Sequence, residues 1–142
     1  MDNKEFTMRL KDIFLSVKNI KSNVHYEEGI RGMIPVLKIL YDSKKEITPK
    51  DIEDELCISS ARTARVLNQL QEKELISRIK SENDKRKTIV VLTEKGKELA
   101  INHRNMFISY MDKLLNNISD EERIMFLNIV EKMANNLKER ND

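Results

Sequence analysis

The sequence predicts a mainly α-helical protein that carries one small β-hairpin, and three observations support this prediction. Glycine and proline occur only three and two times in 142 residues, whereas an all-β chain needs many tight turns. Apolar residues recur at three- and four-residue steps through most of the chain, as they do in amphipathic helices. Only residues 75–80 and 87–92 have the pattern of strands, and the second stretch is rich in β-branched side chains.

Composition excludes several classes of protein. The hydrophobic fraction of 39% allows a core to form, and 142 residues suit one domain or a small domain with added helices. The single cysteine, Cys57, excludes an intramolecular disulfide and a multi-cysteine zinc site, and it favours a cytosolic location. The longest uncharged apolar stretch, residues 32–37, is too short to span a membrane, and the charged N-terminus is unlike a signal peptide. We therefore expect a cytoplasmic protein without a membrane partner.

Two helices are predicted in the first part of the chain. Apolar residues at helical spacing predict an amphipathic helix of about twenty residues, and they are Phe6, Leu10, Ile13, Phe14, Val17, Ile20 and Val24. A breaker region follows at residues 26–32. Residues 33–41 then predict a second helix, in which Pro35 lies early enough that its missing N–H costs little.

A tight turn separates the next two predicted helices. Thr48 caps the first of them and Pro49 takes its first helical position. After a turn at Cys57 and Ile58, Ser59 caps the second. One face of that second helix is predicted to be buried, with Thr63, Val66, Leu67 and Leu70. The opposite face carries Ala61, Arg65, Asn68 and Glu72, with Arg62 on a flank.

The hairpin has a charged tip, residues 81–86, and two long helices follow it. Thr93 caps the first of these helices, and Ser119 with Glu122 forms a capping box at the start of the last. The last helix carries more apolar residues than one stripe needs, so it requires a second packing partner. We expect that partner to be a second copy of the chain, related by two-fold symmetry.

The order helix, helix, tight turn, helix and hairpin is that of a winged helix-turn-helix. A helix that starts with small residues can enter the major groove of DNA by its N-terminus, where free N–H groups meet phosphate. Residues 59–87 hold eight basic and four acidic residues, a local charge of +4. The predicted DNA-contacting residues are Ser59, Ser60, Ala61, Arg62, Arg65 and Asn68 on the helix, and Asp84, Lys85, Arg86 and Lys87 at the hairpin tip.

Two other classes of function were weighed. A winged helix can also serve as a protein-interaction module, but the predicted helix face lacks the large apolar or aromatic anchors that protein interfaces favour. An enzyme is not predicted, because the chain has no phosphate-binding glycine loop, no Gly-x-Ser-x-Gly and no His-Glu-x-x-His. No cofactor is predicted for the same reason.

One pair of motifs points to a known family. The triplet Asp84-Lys85-Arg86 comes a few residues before Leu92-Thr93-Glu94-Lys95-Gly96. Together these motifs look like the wing signature and the following helix start of the MarR family of bacterial transcriptional regulators. Residues 33–99 resemble this family. The resemblance implies a homodimer on a palindromic operator, with residues 1–30 and 94–142 as a helical dimerisation region and residues 31–93 as the DNA-binding domain. It implies a repressor released by a ligand or stress signal; a regulator without a small-molecule inducer is the alternative.

The resemblance also implies roles for single residues. Arg86 would probe the minor groove, and Asp84 would orient it through an ion pair, with Arg78 or Arg65 as further candidate partners. The chain departs from the family pattern at Cys57 and Glu74, where glycine is common.

Several residues are candidates for sensing a ligand or a stress signal. By position, five residues are candidates to line the family's ligand pocket, namely His25, Tyr26, Arg31, Met33 and Tyr41, although ordinary packing explains them equally well. Arg31 could hold a carboxylate of the ligand. Cys57 is interpreted as a small buried hydrophobic residue rather than a redox sensor. No metal site is predicted, because His25 and His103 lack metal-ligand spacing.

Overall fold

The computed structural model describes residues 1–18 and 32–139, which form six α-helices and one two-stranded antiparallel sheet. The elements are α1 (Asn3–Lys18), α2 (Ile34–Asp42), α3 (Pro49–Leu56), α4 (Ser60–Glu72), β1 (Ile76–Lys80), β2 (Thr88–Leu92), α5 (Glu94–Leu114) and α6 (Asp120–Glu139). The predicted fold class is confirmed. The end of the first predicted helix, beyond Lys18, lies outside the described residues. The chain divides into two compact units, Met1–Ala100 and Ile101–Asp142.

The core of the first unit forms where α2, α3, α4 and the hairpin meet. Its most deeply buried apolar side chains are Val36, Leu37, Ile52, Leu67, Leu70, Ile76 and Val90. On α4 Thr63, Leu67 and Leu70 are buried as predicted, Val66 is half-buried instead of buried, and the opposite face is exposed. The helical period therefore decides which side of α4 stays in contact with solvent.

Side chains cap the N-termini of helices where the sequence predicts caps. The Thr48 hydroxyl accepts from the Asp51 N–H at 3.2 Å, and the Thr48 N–H donates to Asp51 Oδ2 at 2.8 Å, which completes a capping box at α3. The Ser119 N–H and the Glu122 side chain form the equivalent bond before α6, at 2.8 Å. These caps satisfy N–H groups that have no partner inside their helix.

The hairpin joins β1 and β2 in a register that runs from Ile76 opposite Leu92 to Lys80 opposite Thr88. On the other side of β2, the Val90 N–H donates to the Ile47 carbonyl at 2.8 Å. Residue 47 therefore contacts the sheet edge through one backbone bond, as part of a connector and not of a regular strand.

Two positions where the family commonly has glycine adopt the left-handed backbone conformation. Cys57 has φ 50° and Glu74 has φ 59°, at the ends of α3 and α4. Cys57 is exposed, so the expectation that it is a buried hydrophobic residue is wrong. The physical reason is its place, because a residue that caps the last turn of α3 lies at the surface where the chain reverses toward α4.

The second unit contains the end of α5 and all of α6. Eight apolar side chains of α6 are between 44% and 64% exposed, namely Ile124, Met125, Phe126, Leu127, Ile129, Val130, Met133 and Leu137. This exposure agrees with the excess of apolar residues noted in the sequence. Across residues 1–18 and 32–139, no helix is both long enough and apolar enough to cross a membrane.

Candidate nucleic-acid interface

The first candidate surface is the N-terminus and outer face of α4. All six predicted residues of this group are exposed, and they are Ser59, Ser60, Ala61, Arg62, Arg65 and Asn68. Ser59 caps the helix, because its hydroxyl accepts from the Arg62 N–H at 3.3 Å. The structure thus brings these residues together on one helix, beside the positive end of the helix dipole.

An acidic residue that the sequence did not single out holds the start of α4. Glu53 Oε2 accepts from the Ser60 hydroxyl at 2.7 Å, and Glu53 Oε1 accepts from Lys50 Nζ at 2.9 Å. The Ser60 hydroxyl, and then Lys50, lower the pKa of Glu53. The one proton of the Ser60 hydroxyl is therefore used inside the protein, which leaves this group as an acceptor.

Arg78 connects the hairpin to α4. Its Nη2 atom donates to Asn68 Oδ1 at 2.7 Å, so the side chain of β1 reaches the outer face of the helix. Arg78 was expected to be a candidate partner of Asp84, and this expectation is wrong. The reason is that Arg78 lies opposite Val90, in the body of the hairpin, while Asp84 lies in its tip.

The second candidate surface is the hairpin tip. Asp84 Oδ1 accepts from the Arg86 N–H at 3.0 Å and from Arg86 Nε at 3.2 Å. The Arg86 N–H, followed by its guanidinium, lowers the pKa of Asp84. The Arg86 side chain is 92% exposed, with Lys85 and Lys87 exposed on either side. The tip therefore presents a guanidinium whose inner nitrogen is fixed and whose outer nitrogens face solvent.

Two of the five ligand candidates lie in the described part of the chain. His25, Tyr26 and Arg31 lie outside the described residues. Met33 is 3% exposed and belongs to the core. It borders a surface depression of ≈ 560 Å³ that Arg62, Arg65 and Gln69 also line. Tyr41 borders a second depression, of ≈ 530 Å³, together with residues of β2. Met33 and Tyr41 lie about 12 Å apart along the helix and border different depressions, and the grouping of the five residues in one ligand pocket stays a prediction.

Metal binding finds no support in the described ranges. No group of three or more His, Cys, Asp and Glu side chains within them is placed to hold an ion.

Comparison with known proteins identifies the family. A model of the MarR family matches residues 34–88. Two uncharacterized HTH-type transcriptional regulators of Bacillus subtilis (strain 168) are similar over longer stretches. YwhA is 31% identical over 134 residues, which cover 87% of this chain and 91% of YwhA. The chain belongs to the MarR family.

Further similarities agree with the assignment of this chain to the MarR family. YdgJ of the same organism is 33% identical over 93 residues, 66% of this chain, and the match spans 56% of YdgJ. Among solved structures, Streptococcus pneumoniae FabT in complex with DNA matches with a TM-score of 0.69 and 22% identity, covering 97% of this chain and 99% of FabT. The FabT match supports the fold. The MarR family consists of DNA-binding transcriptional regulators and not of enzymes.

Proposed function

We propose that this MarR-family regulator binds a palindromic duplex operator as a homodimer, with α4 in the major groove and the hairpin tip at the adjacent minor groove. The observation that carries the proposal is that the exposed face of α4 and the hairpin that carries Arg86 belong to one unit, and that Arg78 in the body of this hairpin bonds Asn68 of α4. A fixed spacing between two DNA-reading elements is what groove recognition requires.

The chemistry of each surface fits the groove assigned to it. Arg62 and Arg65 can reach phosphates or guanine edges from the first two turns of α4, where no large apolar side chain obstructs the approach. Arg86 stands out from the tip, and a narrow minor groove attracts an arginine because its negative potential is enhanced. Lys85 and Lys87 would contact the flanking phosphates. FabT, which shares the fold, has been solved bound to DNA.

Dimerisation is proposed from α6. At about 100° per residue, Phe126, Val130, Met133 and Leu137 lie within one narrow stripe of this helix. These side chains are exposed in a single chain, and a contiguous apolar surface of this kind is typical of an interface. Residues 1–30 and 94–142 are proposed as the dimerisation region, and residues 31–93 as the DNA-binding lobe.

Regulation follows from two linked lobes. The second lobe binds at high effective concentration only while its spacing matches the half-sites. We propose a cytoplasmic repressor that blocks a promoter and is released when a small molecule or stress signal changes that spacing. The two depressions that border Met33 and Tyr41 are the places where such a molecule would be sought first.

The test is fluorescence anisotropy with labelled duplexes, comparing a palindrome selected with the wild-type protein against scrambled DNA across a salt series. We expect selective binding at two subunits per duplex, with log K falling steeply with log salt. Arg86→Ala should weaken binding by about 1–3 kcal/mol, while Lys44→Ala, which removes an exposed cation of the α2–α3 connection outside the proposed DNA surface and dimerisation region, should not. Binding that ignores sequence would contradict the proposal, and no binding at low salt would favour a protein-interaction module.

A further inference from the structure

The hairpin tip is organised around one buried hydroxyl. Ser81 is 2% exposed and stands at the end of β1, where its N–H donates to the Lys87 carbonyl at 3.0 Å. Its hydroxyl oxygen accepts from the N–H groups of Asn83 and Asp84, each at 3.1 Å. A hydroxyl has two acceptor positions and one donor, so these two bonds use its acceptor capacity in full.

The hydroxyl proton of Ser81 is donated to a residue that is distant in the sequence. Its hydroxyl donates to Glu46 Oε2 at 2.6 Å, across 35 residues of sequence. The structure extends the tip to residues 81–87, because β1 ends at Lys80 and β2 begins at Thr88. In the described part of the chain, the Ser81–Glu46 bond is the one hydrogen bond that links the tip to a residue outside the hairpin. Because Glu46 takes the proton of the hydroxyl, both lone pairs of Ser81 stay directed at the backbone of the tip.

A continuous series of bonds therefore connects Glu46 to Arg86. The Asp84 N–H is held by Ser81, and the Asp84 carboxylate in turn holds Arg86 through both its N–H and its Nε. The Asp84 carbonyl also accepts from the Lys87 N–H at 2.8 Å, which closes the turn around Arg86. A network of this kind, satisfied at every member, restricts its parts to one arrangement.

We propose that Glu46 is a positioning residue for DNA binding, which fixes the hairpin tip so that Arg86 is held in its binding orientation before DNA arrives. This inference rests on the proposed function. Glu46 does not touch DNA in this scheme and acts through Ser81 and Asp84. It would lower the entropy that the tip loses on binding, which is the benefit of a pre-organised contact.

Electrostatics and the proposal predict opposite results when Glu46 is removed. An acidic side chain beside a basic tip repels phosphate, so loss of its charge alone should tighten binding. Loss of the acceptor should instead free the tip and weaken binding. The sign of the change therefore separates the two explanations.

The experiment measures the affinity of Glu46→Ala, Glu46→Gln and Ser81→Ala for the palindrome selected with the wild-type protein. Glu46→Ala and Ser81→Ala should bind about five- to tenfold more weakly, because part of the free energy of the lost hydrogen bond must then be supplied when the tip is ordered on DNA. Glu46→Gln keeps an acceptor oxygen and should restore affinity to within about twofold. Glu82→Ala is the matched control, because it removes an exposed acid next to Ser81 and should leave binding equal or tighter.

A second variant tests whether the effect passes through Arg86. In an Arg86→Ala background, Glu46→Ala should lower the affinity for the palindrome by less than about twofold. The reason is that the effects of two substitutions that act through one contact are not additive. The exchange rates of the Asn83 and Asp84 amide protons, measured by NMR without DNA, should rise in Glu46→Ala and stay near wild type in Glu46→Gln.

Three results would overturn the proposal: Glu46→Ala binding as tightly as wild type, a loss of the same size without Arg86, or unchanged amide exchange. If the wild-type protein selects no palindrome, the proposed function fails, and the amide exchange still decides whether Glu46 holds the tip.

Discussion

At the scale of residues, three carboxylates maintain local geometry in the first unit. Asp51 closes the start of α3, Glu53 holds Ser60, and Asp84 holds Arg86. Each accepts hydrogen bonds that favour its ionised form, and the pKa of each is lowered in the folded protein. Their contribution to folding is therefore present above the ordinary carboxylate pKa and is lost as the pH falls through the lowered value.

Asp51 gives the clearest test of this pH dependence. The Thr48 N–H, and then the Thr48 hydroxyl, lower the pKa of Asp51 from its ordinary value of 3.8. Asp51→Ala should cost about 1 kcal/mol of unfolding free energy near neutral pH, the usual effect of losing a cap. The difference from wild type should shrink as the pH falls from 3.8 through the lowered pKa, because Asp51 of the folded protein becomes protonated only at that lowered value.

Urea unfolding at a series of pH values measures this difference. Glu55→Ala is the control, because it removes an exposed acid from the same helix outside the capping box. A stability difference for Asp51→Ala that stays constant or grows in acid would contradict the assignment.

At the scale of elements, the start of α5 is fitted closely against the end of the α4–β1 connection. The Thr93 N–H donates to the Leu75 carbonyl at 3.1 Å, and the Thr93 hydroxyl donates to the Glu74 carbonyl at 2.7 Å. Gly96 is buried at this crossing, and a Cβ atom there would stand 2.0 Å from the Leu75 carbonyl oxygen. The glycine of the Leu-Thr-x-x-Gly motif is therefore required because the backbones approach too closely for any side chain.

Gly96→Ala should destabilise the protein, although alanine is the better helix former. Helix propensity alone predicts a gain of about 0.5–1 kcal/mol, whereas the contact with backbone atoms should cost about 1–3 kcal/mol or more. Thermal unfolding measures the result. Gly32→Ala is the matched control, because its Cβ would meet nothing within 4 Å. An unchanged or higher Tm for Gly96→Ala would show that α5 can move away from the α4–β1 connection without cost.

At the scale of the whole molecule, the apolar stripe of α6 is the feature that a single chain leaves unexplained. Side chains about half exposed along one stripe lose contact with water only when another surface covers them. A second copy of α6 supplies such a surface, and an isologous pairing would place two DNA-binding lobes in one assembly.

The double variant Phe126→Glu with Met133→Glu should convert the proposed dimer to a monomer, because buried like charges repel and lose hydration. Sedimentation velocity measures the change, and binding to the palindrome should weaken with it. Asn128→Glu with Asn135→Glu adds the same charge on the opposite side of α6 and should leave the dimer intact. A monomeric wild-type protein, or equal effects of the two variants, would rule out this stripe as the interface.

Much of the local structure in both units was predictable because its signals lie in neighbouring residues. The caps at Thr48, Ser59 and Ser119 depend on bonds that span three residues, and the buried face of α4 follows from helical periodicity. The Asp84–Arg86 pair also lies within one turn. The exposure of Cys57 was not predictable from residue type, because it depends on where the end of α3 meets the surface.

The amino-acid sequence by itself determined the order of helices and strands, the faces they bury and the family to which the chain belongs, since periodicity, caps and short motifs are properties of neighbouring residues. Only the tertiary structure decided which distant groups meet. Glu46 reaches Ser81 and Arg78 reaches Asn68 because α2, α4 and the hairpin share one core. Such contacts depend on how helices and strands pack in space, and no spacing along the chain encodes them.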